Sequence, residues 1–123
     1  MKILFIHQNF PAQFRYIAPA LARRGHLVQV LAITPREKLP GVLVSTYRPQ
    51  RSTSAAIHPW AMDFESKVIR GEACLLAAQQ LQQKGFTPDL IVGHPGWGEL
   101  LFIRSIWPKI PQIHYLEFFY NQN

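Results

Sequence analysis

Short apolar runs alternate with amphipathic stretches along the whole chain, and turn residues divide them. Lys2–His7 carries Ile3-Leu4-Phe5-Ile6 without interruption, the pattern of a strand covered on both faces. Gln13–Arg24 places Phe14, Ile17, Ala18, Leu21 and Ala22 on one helical face. Gly25 follows where a helix C-terminal glycine belongs, behind the cations Arg23 and Arg24. Pro19 lies inside this stretch, so a kink or a late start is expected. His26–Ile33 and Gly41–Tyr47 read as the second and third strands. The link between them, Thr34–Pro40, is too short for a helical crossover, and this pair is expected to depart from the regular pattern.

Arg48–Trp60 is polar, with Pro49, Ser52, Thr53, Ser54 and Pro59, and reads as a surface loop. Ala61–Lys84 forms the longest predicted helix, opened by Asp63 and Glu65 and followed by Gly85. Its apolar face, Phe64, Val68, Leu75 and Ala78, has a gap at Gly71 that would let the backbone approach the sheet. Pro88–His94 is the fourth strand, and Glu99–Trp107 a short helix stopped by Pro108. Pro111–Glu117 is the fifth strand, leading into Phe118-Phe119-Tyr120.

The order β-α-β-β-α-β-α-β implies an α/β fold with a mainly parallel, Rossmann-like sheet flanked by helices. Right-handed crossovers give the strand order 3-2-1-4-5, with the switch point between strands one and four. Those two strands end at His7 and His94. Ligands of such sheets bind outside the carboxyl ends of the strands, at the switch point. The turn Pro95-Gly96-Trp97-Gly98, with a helix start behind it, would expose backbone N–H groups to an anionic or polyhydroxylated ligand. Gln8-Asn9-Phe10-Pro11 forms the equivalent loop after His7.

His94 is the leading candidate for chemistry, as a hydrogen-bond partner for a sugar or phosphate. His7 is its companion, although either ring could simply satisfy the loop behind it. Trp97 could stack on a ligand ring or pack against a neighbouring helix. His114 invites a third ligand position, with Glu99 or Glu117 as a fourth, but the spacing fits no compact metal motif, and no metal is expected. Gly96-Trp97-Gly98 begins a dinucleotide fingerprint that fails at Leu101. No phosphate-binding P-loop and no G-x-S-x-G elbow occurs.

Composition narrows the classes. The 123 residues suffice for one domain with a real core. Thirteen Lys and Arg against seven Asp and Glu leave a net charge of +6. The basic residues are scattered, so nucleic acid is not expected as a partner, while an anionic membrane surface stays a candidate. The single cysteine, Cys74, excludes an intramolecular disulfide and reads as a small buried side chain. No apolar run approaches the roughly 18 residues of a membrane span, and no signal-peptide core is present. A cytoplasmic chain, with peripheral contact to an inner membrane as a variant, is the expectation.

Two segments carry a family resemblance. MKILFIHQNFPAQFRYIAPALARRGHLVQVLA resembles the opening of family 4 glycosyltransferases of the GT-B type. PDLIVGHPGWGELLFIRSIWPKIPQIHYLEFFY is similar to the later part of the same N-terminal domain, and H-P-G-W-G-E with Y-L-E-F-F-Y narrows it to a subgroup of bacterial enzymes. The resemblance implies two Rossmann-like domains facing across a cleft. The N-terminal one, here residues 1–123, holds the sugar acceptor, and the C-terminal one the nucleotide-sugar donor. It implies retention of anomeric configuration without a cofactor, through an ion-pair-like transition state assisted by the donor phosphate.

On that resemblance, the loop Gln8–Ala12 lines the acceptor and approaches the donor phosphates. The family histidine after strand four matches His94, whose ring or carbonyl would meet the transferred sugar and steady its developing positive charge. Gln8, Asn9, Phe10, Pro11, Pro95, Gly96, Trp97, Gly98 and Glu117 join His7 as expected substrate-binding residues, with His94 in the catalytic role. The family's donor domain, with its paired glutamates, is missing from this chain, which alone is expected not to transfer sugar. The first loop also holds Asn9-Phe10-Pro11 where many members have a glycine pair, which argues against direct backbone contact with the diphosphate. Two alternatives remain: a stand-alone, non-catalytic module that pairs with a separate donor-domain chain, and a small α/β enzyme using His7 and His94 as acid and base.

Overall fold

A computed structural model describes residues 1–116, and Glu117 with Phe118-Phe119-Tyr120 lies outside the described residues. Five strands form one parallel sheet: β1 (Lys2–Ile6), β2 (Leu27–Ala32), β3 (Val42–Thr46), β4 (Leu90–Gly93) and β5 (Gln112–His114). Their order across the sheet is β3-β2-β1-β4-β5, as the crossover argument requires.

The central strand explains its own sequence. β1 pairs with β2 through Ile3↔Val28 and with β4 through Ile3↔Leu90, so it has no free edge. Ile3 through Ile6 are buried on both faces. Leu4 and Ile6 join Leu31 and Ile91 beneath the long helix, while Ile3 and Phe5 join Val28 and Val30 on the opposite face. Each of these side chains contributes about 1.5–3 kcal/mol of burial.

Helix α1 (Ile17–Arg23) starts late, after a short 3₁₀ turn over Ala12–Phe14. Pro19 therefore falls in the first turn of α1, where no intrahelical N–H is lost. β3 runs parallel to β2, so the short link alters the connection and not the direction: residues 33–41 cross without a helix. The result is an edge strand with Leu43 and Val44 exposed.

Helix α2 (Met62–Gln83) lies against the sheet by a different face from the expected one. Its buried stripe is Ile69, Ala73, Cys74, Ala77, Ala78 and Leu81, whereas Phe64 is exposed and Val68 and Leu75 are half-buried. Small side chains on that stripe allow a close approach, so residue size misleads as a guide to the buried face here. Gly71 is buried, but its contact is with the loop after β4 and not with the sheet. A Cβ there would stand 2.6 Å from the Gly98 carbonyl oxygen and 3.1 Å from the Phe102 ring. Gly98 returns the constraint, because it has φ +100° and a Cβ on it would strike the Lys67 backbone.

The expected helix over Glu99–Trp107 is replaced by bends and a single 3₁₀ turn, Ile103–Ser105. Leu100, Ile103 and Trp107 all reach the core, and so short a segment lacks the intrinsic stability to hold a helix against those anchors. Among the described residues no helix is long and apolar enough to cross a membrane.

The interlock of Gly71 and Gly98 gives a direct test. Gly98→Ala should cost about 3 kcal/mol or more, through backbone collision and strained φ. Gly71→Ala should cost about 1–3 kcal/mol even though alanine is the better helix former by about 1 kcal/mol. Urea unfolding reads both, and a stabilised Gly71→Ala protein would contradict the close approach.

Candidate functional site

The register of the two central strands builds the site. Ile6 is opposite Gly93 in the β1–β4 pair, so the next residue of each strand, His7 and His94, emerges side by side at the carboxyl edge. The ladder extends into them: His7 N–H donates to the Leu31 carbonyl at 3.1 Å and His94 N–H to the Ile6 carbonyl at 3.4 Å. The two imidazole centroids are 5.8 Å apart, nearly perpendicular at 78°.

Each ring is held by the loop that follows it. The Asn9 N–H donates to His7 Nδ1 at 3.0 Å, and the Gly96 N–H donates to His94 Nδ1 at 3.0 Å. With Nδ1 accepting from the backbone in both rings, Nε2 is the nitrogen left to donate. Trp97 covers the pair. It stacks on His94 at 4.2 Å and 13°, and meets His7 edge-on at 5.2 Å. The indole thus packs against the site histidines. Both histidines are buried, while Gln8, Asn9, Pro95 and Trp97 are half-buried and Gly96 is exposed.

Beneath this roof lies a buried charge. Glu99 is 1% exposed and accepts a hydrogen bond from Gln8 Nε2 at 2.7 Å. Arg70 from α2 approaches the same carboxylate at 3.8 Å and donates from Nε to the Trp97 carbonyl at 2.7 Å. Gln8, Glu99, Arg70 and Trp97 therefore tie the loop after β1, the loop after β4 and α2 into one unit. Burial pushes the Glu99 carboxyl above its ordinary value, against the opposing pull of Gln8, Arg70 and His94. Nearby, burial and the Glu99 charge both push the Tyr47 phenol up, and burial pushes the Cys74 thiol up.

The expected site residues divide into two groups. His7, Gln8, Asn9, His94, Pro95, Gly96, Trp97 and Gly98 gather at the carboxyl edge of β1 and β4. Phe10 is fully buried with Phe5 and Phe14, and Pro11 is also buried, so their side chains support the first loop from below. The anticipated helix N-terminus behind Gly98 is lost with the helix itself; the loop's polar presentation comes from bends. His114 is exposed, with its Nε2 2.9 Å from Gln112 Oε1, and does not join the other two histidines. Among the described residues no group of three His, Cys, Asp or Glu could hold a metal ion.

Sequence reasoning missed Arg70 and the structural role of Glu99. Glu99 stands in an otherwise apolar stretch, GELLFI, and a carboxylate there signals a buried partner. Arg70, next to the helix glycine, carries no comparable signal.

The raised Glu99 pKa implies a pH dependence with a definite sign. The folded state holds this proton to higher pH than the unfolded chain does, so its contribution is fully favourable below the ordinary value of 4.5. Stability then falls as pH rises from there through the raised folded value, by at most about 1.4 kcal/mol per pH unit. Glu99→Gln keeps an acceptor for Gln8 and should flatten this descending limb in urea titrations across pH. An unchanged slope would mean that the carboxyl is not the group responsible.

The family comparison agrees with this architecture. A search of curated proteins returned no match. The model of the glycosyl transferase family 4 group matches residues 24–123, which include α2, the loop after β4 and both partners of the Arg70–Glu99 contact. The chain belongs to the glycosyl transferase family 4 group.

Proposed function

We propose that this chain is the acceptor-holding, N-terminal domain of a retaining GT-B sugar transferase that draws on a nucleotide-sugar donor. The observation behind the reading is the pair His7 and His94, set side by side at the switch point under Trp97. Two imidazoles, an amide-rich loop and an indole face suit a polyhydroxylated ligand better than an apolar one.

In this reading the acceptor lies along Gln8–Ala12 and Pro95–Gly98, and His94 meets the sugar in transfer. The bond from the sugar's anomeric carbon to the donor phosphate breaks as the bond to the acceptor hydroxyl forms. The hydroxyl proton leaves with the nucleoside diphosphate. His94, through its ring or carbonyl, lowers the energy of the positive charge that develops on the sugar. In this reading a second domain supplies the donor's contacts, and residues 1–123 supply those to the acceptor.

Backbone NMR of the chain titrated with glucose, UDP-glucose and GDP-mannose tests this. Saturable shifts are expected at Gln8, Asn9 and Gly96–Gly98, about tenfold weaker in binding for His94→Ala with its far-UV circular dichroism retained. Shifts confined to other surfaces would overturn the reading, as would release of nucleoside diphosphate by the chain alone.

A further inference from the structure

A second concavity lies beside the histidine site on the same edge of the sheet. It has a volume of about 420 Å³ and is framed by the segments after β1, β2 and β3 and by the first half of α2. Its polar lining is Gln8, Arg51, Ser52, Thr53, Ser66 and Arg70. Two guanidinium groups, three hydroxyls and an amide are thus gathered at one place, and no carboxylate is among the lining residues.

The arginines are held without being used up. Both contacts of Arg70, to the Trp97 carbonyl and to Glu99, run through Nε. Its terminal nitrogens make no hydrogen bond among the described residues. Three quarters of its side chain is shielded from solvent, which positions the fork. Arg51 meets Glu72 at 3.3 Å, but those side chains are 67% and 42% exposed, and such a pair is readily exchanged for a stronger partner. Glu65, the other carboxylate near this segment, is engaged by the Ser54 backbone N–H and hydroxyl. The pocket lining itself therefore presents two cations and no anion, with the paired carboxylates Glu72 and Glu99 outside it.

We infer that this pocket is a phosphate-binding subsite. A phosphate offers three or more oxygens, matching two arginine forks and three hydroxyls, where a carboxylate would satisfy only part of them. Gln8 and Arg70 belong both to this pocket and to the network under Trp97, so a phosphate here sits next to the histidine crevice. Taken with the proposed function, on which this part rests, the acceptor is a sugar carrying a phosphate, its ring toward His94.

Backbone NMR with inorganic phosphate, glucose 6-phosphate and glucose separates the two ideas. Inorganic phosphate should give saturable shifts at Arg51–Thr53 and Ser66–Arg70, and Arg51→Gln should weaken its binding about tenfold. Arg51 is exposed, so this variant leaves the core intact; Arg70→Gln should weaken binding similarly and also move the Trp97 amide. Glucose 6-phosphate should shift the pocket together with Gly96–Gly98.

The inference is overturned if phosphate gives no saturable shifts in the pocket, or if Arg51→Gln binds it unchanged. It is also overturned if phosphate binds instead at the depression formed by Asn9, Arg15 and Arg36. Glucose shifting Gly96–Gly98 without phosphate binding would remove the subsite and leave the proposed function standing. Phosphate binding with no sugar effect at Gly96–Gly98 would do the reverse.

Discussion

The parallel pairing of β1 with β4 is the constraint on which the rest depends. Because Ile6 and Gly93 are register partners, the residues that follow them must leave the sheet at the same height and a strand spacing apart. Two histidines at those positions cannot avoid each other. A slip of one residue would turn Leu4 and Ile6 from the α2 side toward the α1 side and separate the rings. Core packing and site geometry are thus enforced by the same hydrogen-bond ladder.

Above the sheet, precision comes from contacts that leave no room for variation. The loop after β4 is pressed onto α2 at Gly98 and Gly71, and Arg70 one residue away grips the Trp97 carbonyl. A buried carboxylate is an expensive way to organise a surface. Glu99 is tolerated because Gln8 and Arg70 reach it from two different segments, and this convergence makes it a specifier of loop position more than a source of stability.

Much of the fold was legible because it rests on local patterns. The continuous apolar run of β1, the glycine after α1 and the crossover rule suffice for the sheet order. The buried face of α2 was not legible, because Ala73, Cys74 and Ala77 are buried for their small size while Phe64, the obvious hydrophobe, is exposed. The segment after Glu99 has helical composition, yet Leu100, Ile103 and Trp107 are anchored in the core in a way that bends it. At the site, His7 and His94 could be found from strand ends, whereas Arg70 and Arg51 come together only through tertiary packing. Glu117, expected among the substrate-binding residues, lies outside the described part of the chain.

The way the two histidines are anchored has a consequence of its own. Each Nδ1 holds the N–H of the residue two positions on, Asn9 in one loop and Gly96 in the other. Neither ring is therefore a side chain alone, because each also fixes the start of the loop that follows its strand. With the rings in edge-to-face contact and Trp97 against both, the two loops are positioned relative to each other by aromatic faces as well as by backbone. A change of residue at either strand end is thus a change of loop as well, and the two loops at this edge behave as one part.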